Sequence, residues 1–221
     1  MKPAWRQASF WAWLALACLP VDLLAWWRGW ALVDPAYLGL SLLWWPLDVL
    51  GRLMALALLL GPPASQGAWR RLGAALSAEV RLGLWLACGL LAGLIPAIFL
   101  LSVKGFQQPA WLAAELGLGL LGLIPGLLYA LRRLLAPVLV LQGAGAADAL
   151  TGSALRLKGR LKPFLRAYLP WLLAGLVLEN LSFVLDLAGL GQALPDPWGG
   201  LLTPLATALE LIGLVRGAST L

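Results

Sequence analysis

The sequence predicts an all-α membrane protein: a polytopic transmembrane helical bundle of about six spans, with two amphipathic helices lying in the membrane interface. Three observations predict it. Hydrophobic residues make up 62% of the 221-residue chain and charged residues 12%, with a mean hydropathy of +0.88, whereas soluble domains run at roughly 45–50% apolar and 25% charged. Apolar runs recur that are long enough to cross a hydrocarbon core of about 30 Å, which takes about 20 helical residues at about 1.5 Å each. Of the 16 basic residues, all except Arg28, Arg52 and Lys104 fall at the N-terminus, in alternate connecting segments or at Arg216, as the positive-inside rule requires of segments facing the cytoplasm. One membrane domain over residues 1–221 is expected, in the plasma (inner) membrane, with both termini cytoplasmic.

The first run, from about Ser9 to Val33, is broken only by Pro20, Asp22 and Arg28, with Trp11 and Trp13 near one end and Trp26, Trp27 and Trp30 near the other. Those are the two aromatic belts of one span. No polar tether follows Cys18, so the run reads as a retained span and not a cleaved leader. After the turn signal Asp34-Pro35 a second run extends from about Tyr37 to Leu60 and contains Asp48 and Arg52. The Gly61–Gly67 segment, with Pro62 and Pro63, cannot continue a helix. Trp69 to Leu82 reads as a short interfacial helix with Trp69, Leu72, Leu76 and Val80 on one face, feeding a third run from about Gly83 to Val103. A fourth run starts near Trp111 and emerges at Arg132-Arg133.

Arg132 to Tyr168 is the one long stretch that is both basic and amphipathic. If its centre is helical, Leu150, Ala154, Leu157, Leu161, Phe164, Leu165 and Tyr168 share a face, and Lys158, Lys162 and Arg166 run along another. Such a helix lies in the interface and fixes the side of the bilayer on which its cations sit. Pro163 marks a bend toward the fifth run, about Leu169 to Leu190, which carries Glu179, Asn180 and Asp186. The sixth, about Leu201 to Val215, is short for a span; a re-entrant last segment, leaving five spans, is the alternative. Leu90–Ile95 (LLAGLI) can be laid on Leu172–Val177 (LLAGLV), which points to an internal duplication with units 37–103 and 111–190; chance matching in Leu- and Gly-rich sequence is the competing explanation.

Within the stretch, Leu135-Ala136-Pro137-Val138-Leu139-Val140, then Gly145, Ala149-Leu150, Ser153, Leu155-Arg156-Leu157, Gly159 and Arg160 resemble a pattern of bacterial membrane proteins related to the membrane domain of glycerophosphoryl diester phosphodiesterase. Gln142 stands where that pattern commonly has an acidic residue, and Lys162-Pro163 where an aromatic residue usually follows the Gly-Arg. The resemblance implies a fold and no reaction, since the hydrolytic chemistry of the fused proteins belongs to a soluble domain outside this pattern.

The chain has no histidine, which removes histidine general bases, the histidine zinc motifs and the serine–histidine dyad. Neither an enzyme activity nor a cofactor is expected, and Cys18 and Cys88, each inside an apolar run, do not suggest a disulfide framework. The net charge of +6 favours anionic phospholipid over nucleic acid, because the cations sit between apolar runs.

Ionisable residues inside spans cost about 2.5–3.5 kcal/mol each at mid-bilayer and need a partner or a water-filled cavity. Asp48 and Arg52 are one turn apart and can pair; with Glu179, Asn180 and Glu210 they form the candidate intramembrane polar site. Arg70, Arg71, Arg132, Arg133, Arg156, Lys158, Arg160, Lys162 and Arg166 are the candidate contacts to lipid headgroups or a partner. Two functions follow. One is a non-catalytic scaffold or accessory subunit whose basic cytoplasmic helices bind anionic lipid, a partner membrane protein or a second copy of the chain. The other is a small transporter or permease component with an acidic intramembrane site.

Overall fold

The computed structural model describes residues 6–28, 35–61, 68–104, 124–179 and 197–221, with Gly117, Leu121 and Leu181; for residues 26, 86, 89, 90, 92–104, 179 and 197–201 it describes the backbone alone. These residues are 89% helix with no strand. Seven α-helices have bounds within them: α1 Ala8–Arg28, α2 Pro35–Leu60, α3 Leu72–Lys104, α4 Ala136–Leu141, α5 Ala146–Leu157, α6 Leu161–Glu179 and α7 Pro197–Ala218, with a 3₁₀ turn at Trp69–Arg71 leading into α3.

Among the described residues, four stretches are long and apolar enough to cross a membrane: Ala8–Ala25, Pro35–Leu60, Ile124–Leu141 and Leu161–Leu178. Ile124–Leu141 passes through Arg132 and Arg133, where the chain turns before α4. Pro137 opens α4 in its first turn, where a missing N–H costs nothing. Much of the fourth and fifth runs, and with them part of both expected repeat units, lies outside the described residues.

The stretch 132–168 is not a single surface helix. It is divided among α4, α5 and the start of α6, and α4 is among the most deeply buried segments, with Ala136 and Val140 at 0% exposure. Its flanks still divide by polarity: Leu150, Leu157, Phe164 and Tyr168 are buried, while Lys158, Lys162 and Arg166 are exposed. The bend comes at Lys158–Arg160 and not at Pro163, because Gly159 takes φ +75° and ends α5. Pro163 falls in the first turn of α6, whose first bond runs from Phe164 N to Arg160 O at 3.3 Å, so its missing donor breaks nothing.

The expected interfacial helix over 69–82 is likewise the opening of a continuous 33-residue helix, α3. Its inward face differs from the one the apolar spacing suggested. Ala75 and Ala78 are buried while Trp69 and Val80 are exposed, since small residues let α2 and α4 approach closely and the bulky ones do not.

The main core joins Val49, Leu53 and Leu56 of α2, Ala75 and Ala78 of α3, Leu135, Ala136 and Val138–Leu141, Leu157, Phe164 and Leu214. A second cluster, Phe10, Leu14, Ala55 and Ala208, locks α1 against α2 and α7. Outside these, large apolar side chains face outward, among them Trp27, Leu42, Leu43, Leu84, Leu173 and Val177. A soluble surface rarely carries so many apolar side chains, and lipid favours them; with four apolar helices of sufficient length, the architecture is consistent with a membrane protein.

Candidate functional site

Asp48 and Arg52 occupy successive turns of one face of α2, and the guanidinium meets the carboxylate as a fork. Arg52 Nε donates to Asp48 Oδ1 at 3.1 Å, and Nη2 donates to Oδ2. Two parallel charge-assisted bonds hold the planar group in one orientation. That pairing offsets the cost of placing either charge in the apolar middle of α2.

The pair lies at the junction of two cavities. One, of about 370 Å³ between α1, α2 and α7, has a polar lining that includes Asp22, Tyr37, Ser41, Asp48 and Thr203. The other, of about 110 Å³ between α2, α3, α4 and α7, is lined largely by apolar side chains and by Glu79. Arg52, Thr207 and Glu210 line both. Thr207 and Glu210 share a face of α7 at a spacing of three, and Thr207 Oγ1 lies 3.6 Å from Cys18 Sγ of α1. Tyr37 donates its hydroxyl to Asp22 Oδ1 at 3.2 Å, which ties the start of α2 to α1. Trp44 Nε1 donates to Leu16 O at 3.1 Å and fixes the same pair of helices one level deeper.

Of the candidate polar site, the structure therefore brings Asp48, Arg52 and Glu210 together. The Glu179 side chain and all of Asn180 lie outside what is described. The sequence reading assigns no place in the polar site to Asp22, Cys18, Glu79 or Thr207, all of which line these cavities. The antiparallel pairing of two runs joined by a short loop was the available signal for Asp22, because it sets residues before the loop against residues just after it. Among the described residues no group of His, Cys, Asp and Glu is placed to hold a metal ion.

The candidate headgroup contacts separate into distinct places. Arg156, Lys158 and Arg160 surround one groove. Arg133 folds back on its own helix, with Nη1 donating to Tyr129 O at 3.1 Å and Cζ 3.4 Å from the Tyr129 ring centroid, while Trp85 stacks on the same ring at 4.8 Å. Arg71 lies beside Gly143 in the α4–α5 connection. Arg70, Arg132, Lys162 and Arg166 are exposed. Comparison with protein-family models, with curated proteins and with solved structures gives no match to this chain.

Proposed function

We propose that the protein is a small carrier, or the membrane subunit of a permease, which passes a proton or a small cation across the inner membrane through the junction at Arg52, Thr207 and Glu210. The observation that carries this reading is the sharing of those three residues by two cavities. Together the cavities are lined by α2 from Tyr37 to Leu56, a rise of about 28 Å at about 1.5 Å per residue, close to the thickness of a hydrocarbon core of about 30 Å. Acidic side chains outnumber basic ones along that line, with Asp22, Asp48, Glu79 and Glu210 against Arg52. An excess of carboxylates suits a cationic or protonic substrate, and the forked Asp48–Arg52 pair gives the junction a fixed charge that a passing cation must negotiate. In this reading six spans hold both termini on the cytoplasmic side.

Two measurements test it. In a Cys88→Ser background, small water-soluble thiosulfonates are expected to modify Cys18 in intact vesicles, because water reaches the cavity it lines. In proteoliposomes with an imposed potassium diffusion potential, dye-reported proton flux is expected from the native protein and to fall at least tenfold in Glu210→Gln. An inert Cys18 together with flux no higher than empty vesicles sinks the carrier reading.

The second reading, a non-catalytic scaffold or accessory subunit whose basic surface engages anionic lipid or a partner protein, is supported by a different observation. Arg70 and Arg71 lead into α3, Arg132 precedes α4, and Arg156, Lys158, Arg160, Lys162 and Arg166 run from the end of α5 into the start of α6. Interfacial amphipathic character for the starts of α3 and α6 belongs to that reading.

A further inference from the structure

The groove around the α5–α6 turn combines an apolar floor with a basic rim. It is about 490 Å³, floored by Leu135, Val138 and Leu139, and its rim carries Arg156, Lys158 and Arg160 with no acidic side chain. The positive φ of Gly159 ends α5 between Lys158 and Arg160, so cations that a continuous helix would spread around its circumference flank one opening instead. Two of them are held in place. Arg156 Nη1 donates to Gln142 Oε1 at 3.4 Å, and Arg160 Nη1 donates to the main-chain oxygen of Leu221, the last residue of the sequence. Lys158 stands exposed between them, while Leu155 beside it is 71% exposed.

The depth of the groove follows from the helices around it. The candidate span Ile124–Leu141 ends there, the candidate span Leu161–Leu178 begins there, and α7 ends nearby at Ala218, with Leu221 lining the wall. Ends of apolar spans mark the boundary between hydrocarbon and headgroups. A triad of cations with an outward leucine at that level matches the two halves of a phospholipid at the same boundary, a charged phosphate and an apolar chain.

We propose that this groove is a discrete binding site for one anionic glycerophospholipid, whose phosphate is held by Arg156, Lys158 and Arg160 and whose acyl chain runs down past Leu155. The site sharpens the surface reading and is independent of whether the inner cavities carry anything. It also differs from diffuse attraction of a basic face to the bilayer, which draws equally on Arg70, Arg132 and Arg166.

The test uses the full chain purified in detergent, with native mass spectrometry and thermal unfolding as readouts and phosphatidylglycerol, phosphatidylcholine or inorganic phosphate as probe. One phosphatidylglycerol is expected to be retained per chain and to raise the unfolding temperature, with phosphatidylcholine and inorganic phosphate inactive. Lys158→Gln is expected to weaken retention about tenfold and Lys158→Arg to preserve it. Lys158 is exposed, so both variants are expected to unfold at the native temperature without lipid; if Lys158→Gln does not fold, Arg156→Gln replaces it in the same comparison. Equal loss in Arg70→Gln would show that the attraction is spread over the face, which overturns a discrete site while leaving the surface reading intact. Stabilisation by inorganic phosphate alone overturns the lipid as ligand.

Discussion

Ser153 holds more of this fold together than its size suggests. It is fully buried, accepts a hydrogen bond from Leu135 N at 3.1 Å and donates one to Arg132 O at 3.1 Å. Both backbone groups belong to the turn 132–135, where the helical ladder is interrupted before α4, and a hydroxyl supplies what the ladder does not. Ser153→Ala leaves a buried donor and a buried acceptor without that partner, at about 1–3 kcal/mol each. A drop of several degrees in the unfolding temperature is expected, and an unchanged temperature would mean that other groups satisfy the turn. Gly159 is the complementary case: a Cβ there meets nothing within 4 Å, so the cost of Gly159→Ala comes from the positive φ alone and amounts to about 1–2 kcal/mol. Leu135, Ser153 and Gly159 thus build the junction between α4, α5 and α6.

Between elements, the contact surfaces depend on what glycine permits. α1 crosses α2 where a Cβ on Gly51 would lie 2.6 Å from Ala17 Cβ and 2.6 Å from Trp13 O. α7 packs along α6 with Gly213 against Trp171 and Gly217 against Phe164, at 2.6 and 2.7 Å for the same construction. Close backbone approach through small residues is the usual way helices associate in lipid, where apolar burial gives no driving force. Gly51→Ala must push α1 away from α2 and is expected to cost about 1–3 kcal/mol by overpacking, whereas Gly39→Ala, with nothing within 4 Å, is expected to be neutral or mildly stabilising. Equal behaviour of the two in detergent unfolding would remove close approach as the cause. The Gly213-x-x-x-Gly217 spacing, one of the small-residue patterns in the sequence, is thus occupied by packing within the chain.

For the molecule as a whole, the distribution of charge predicts an orientation that can be measured. If the six-span arrangement holds, cysteines introduced singly as Arg70→Cys and Lys158→Cys, in a background lacking Cys18 and Cys88, react with an impermeant maleimide from the same side of the membrane, and Lys104→Cys reacts from the other. Labelling of positions 70 and 158 from opposite faces would overturn both the span count and the headgroup depth of the lipid groove. The same arrangement places the Tyr37 end of the polar line at the outer face and the Leu56 end at the inner one.

Composition and run length were enough to predict long apolar helices of spanning length, because a bilayer demands them whatever their neighbours are. The Asp48–Arg52 pair was also legible, since a separation of four residues puts two side chains together within one helix. Tertiary structure decided the rest. Glu79 and Glu210 share a cavity with Arg52 only because α3 and α7 pack on α2, and no periodicity within one helix encodes which turn of another lies opposite. The basic stretch likewise reads as one amphipathic rod until Gly159 breaks it and the core draws in α4, for burial depends on what the chain folds against.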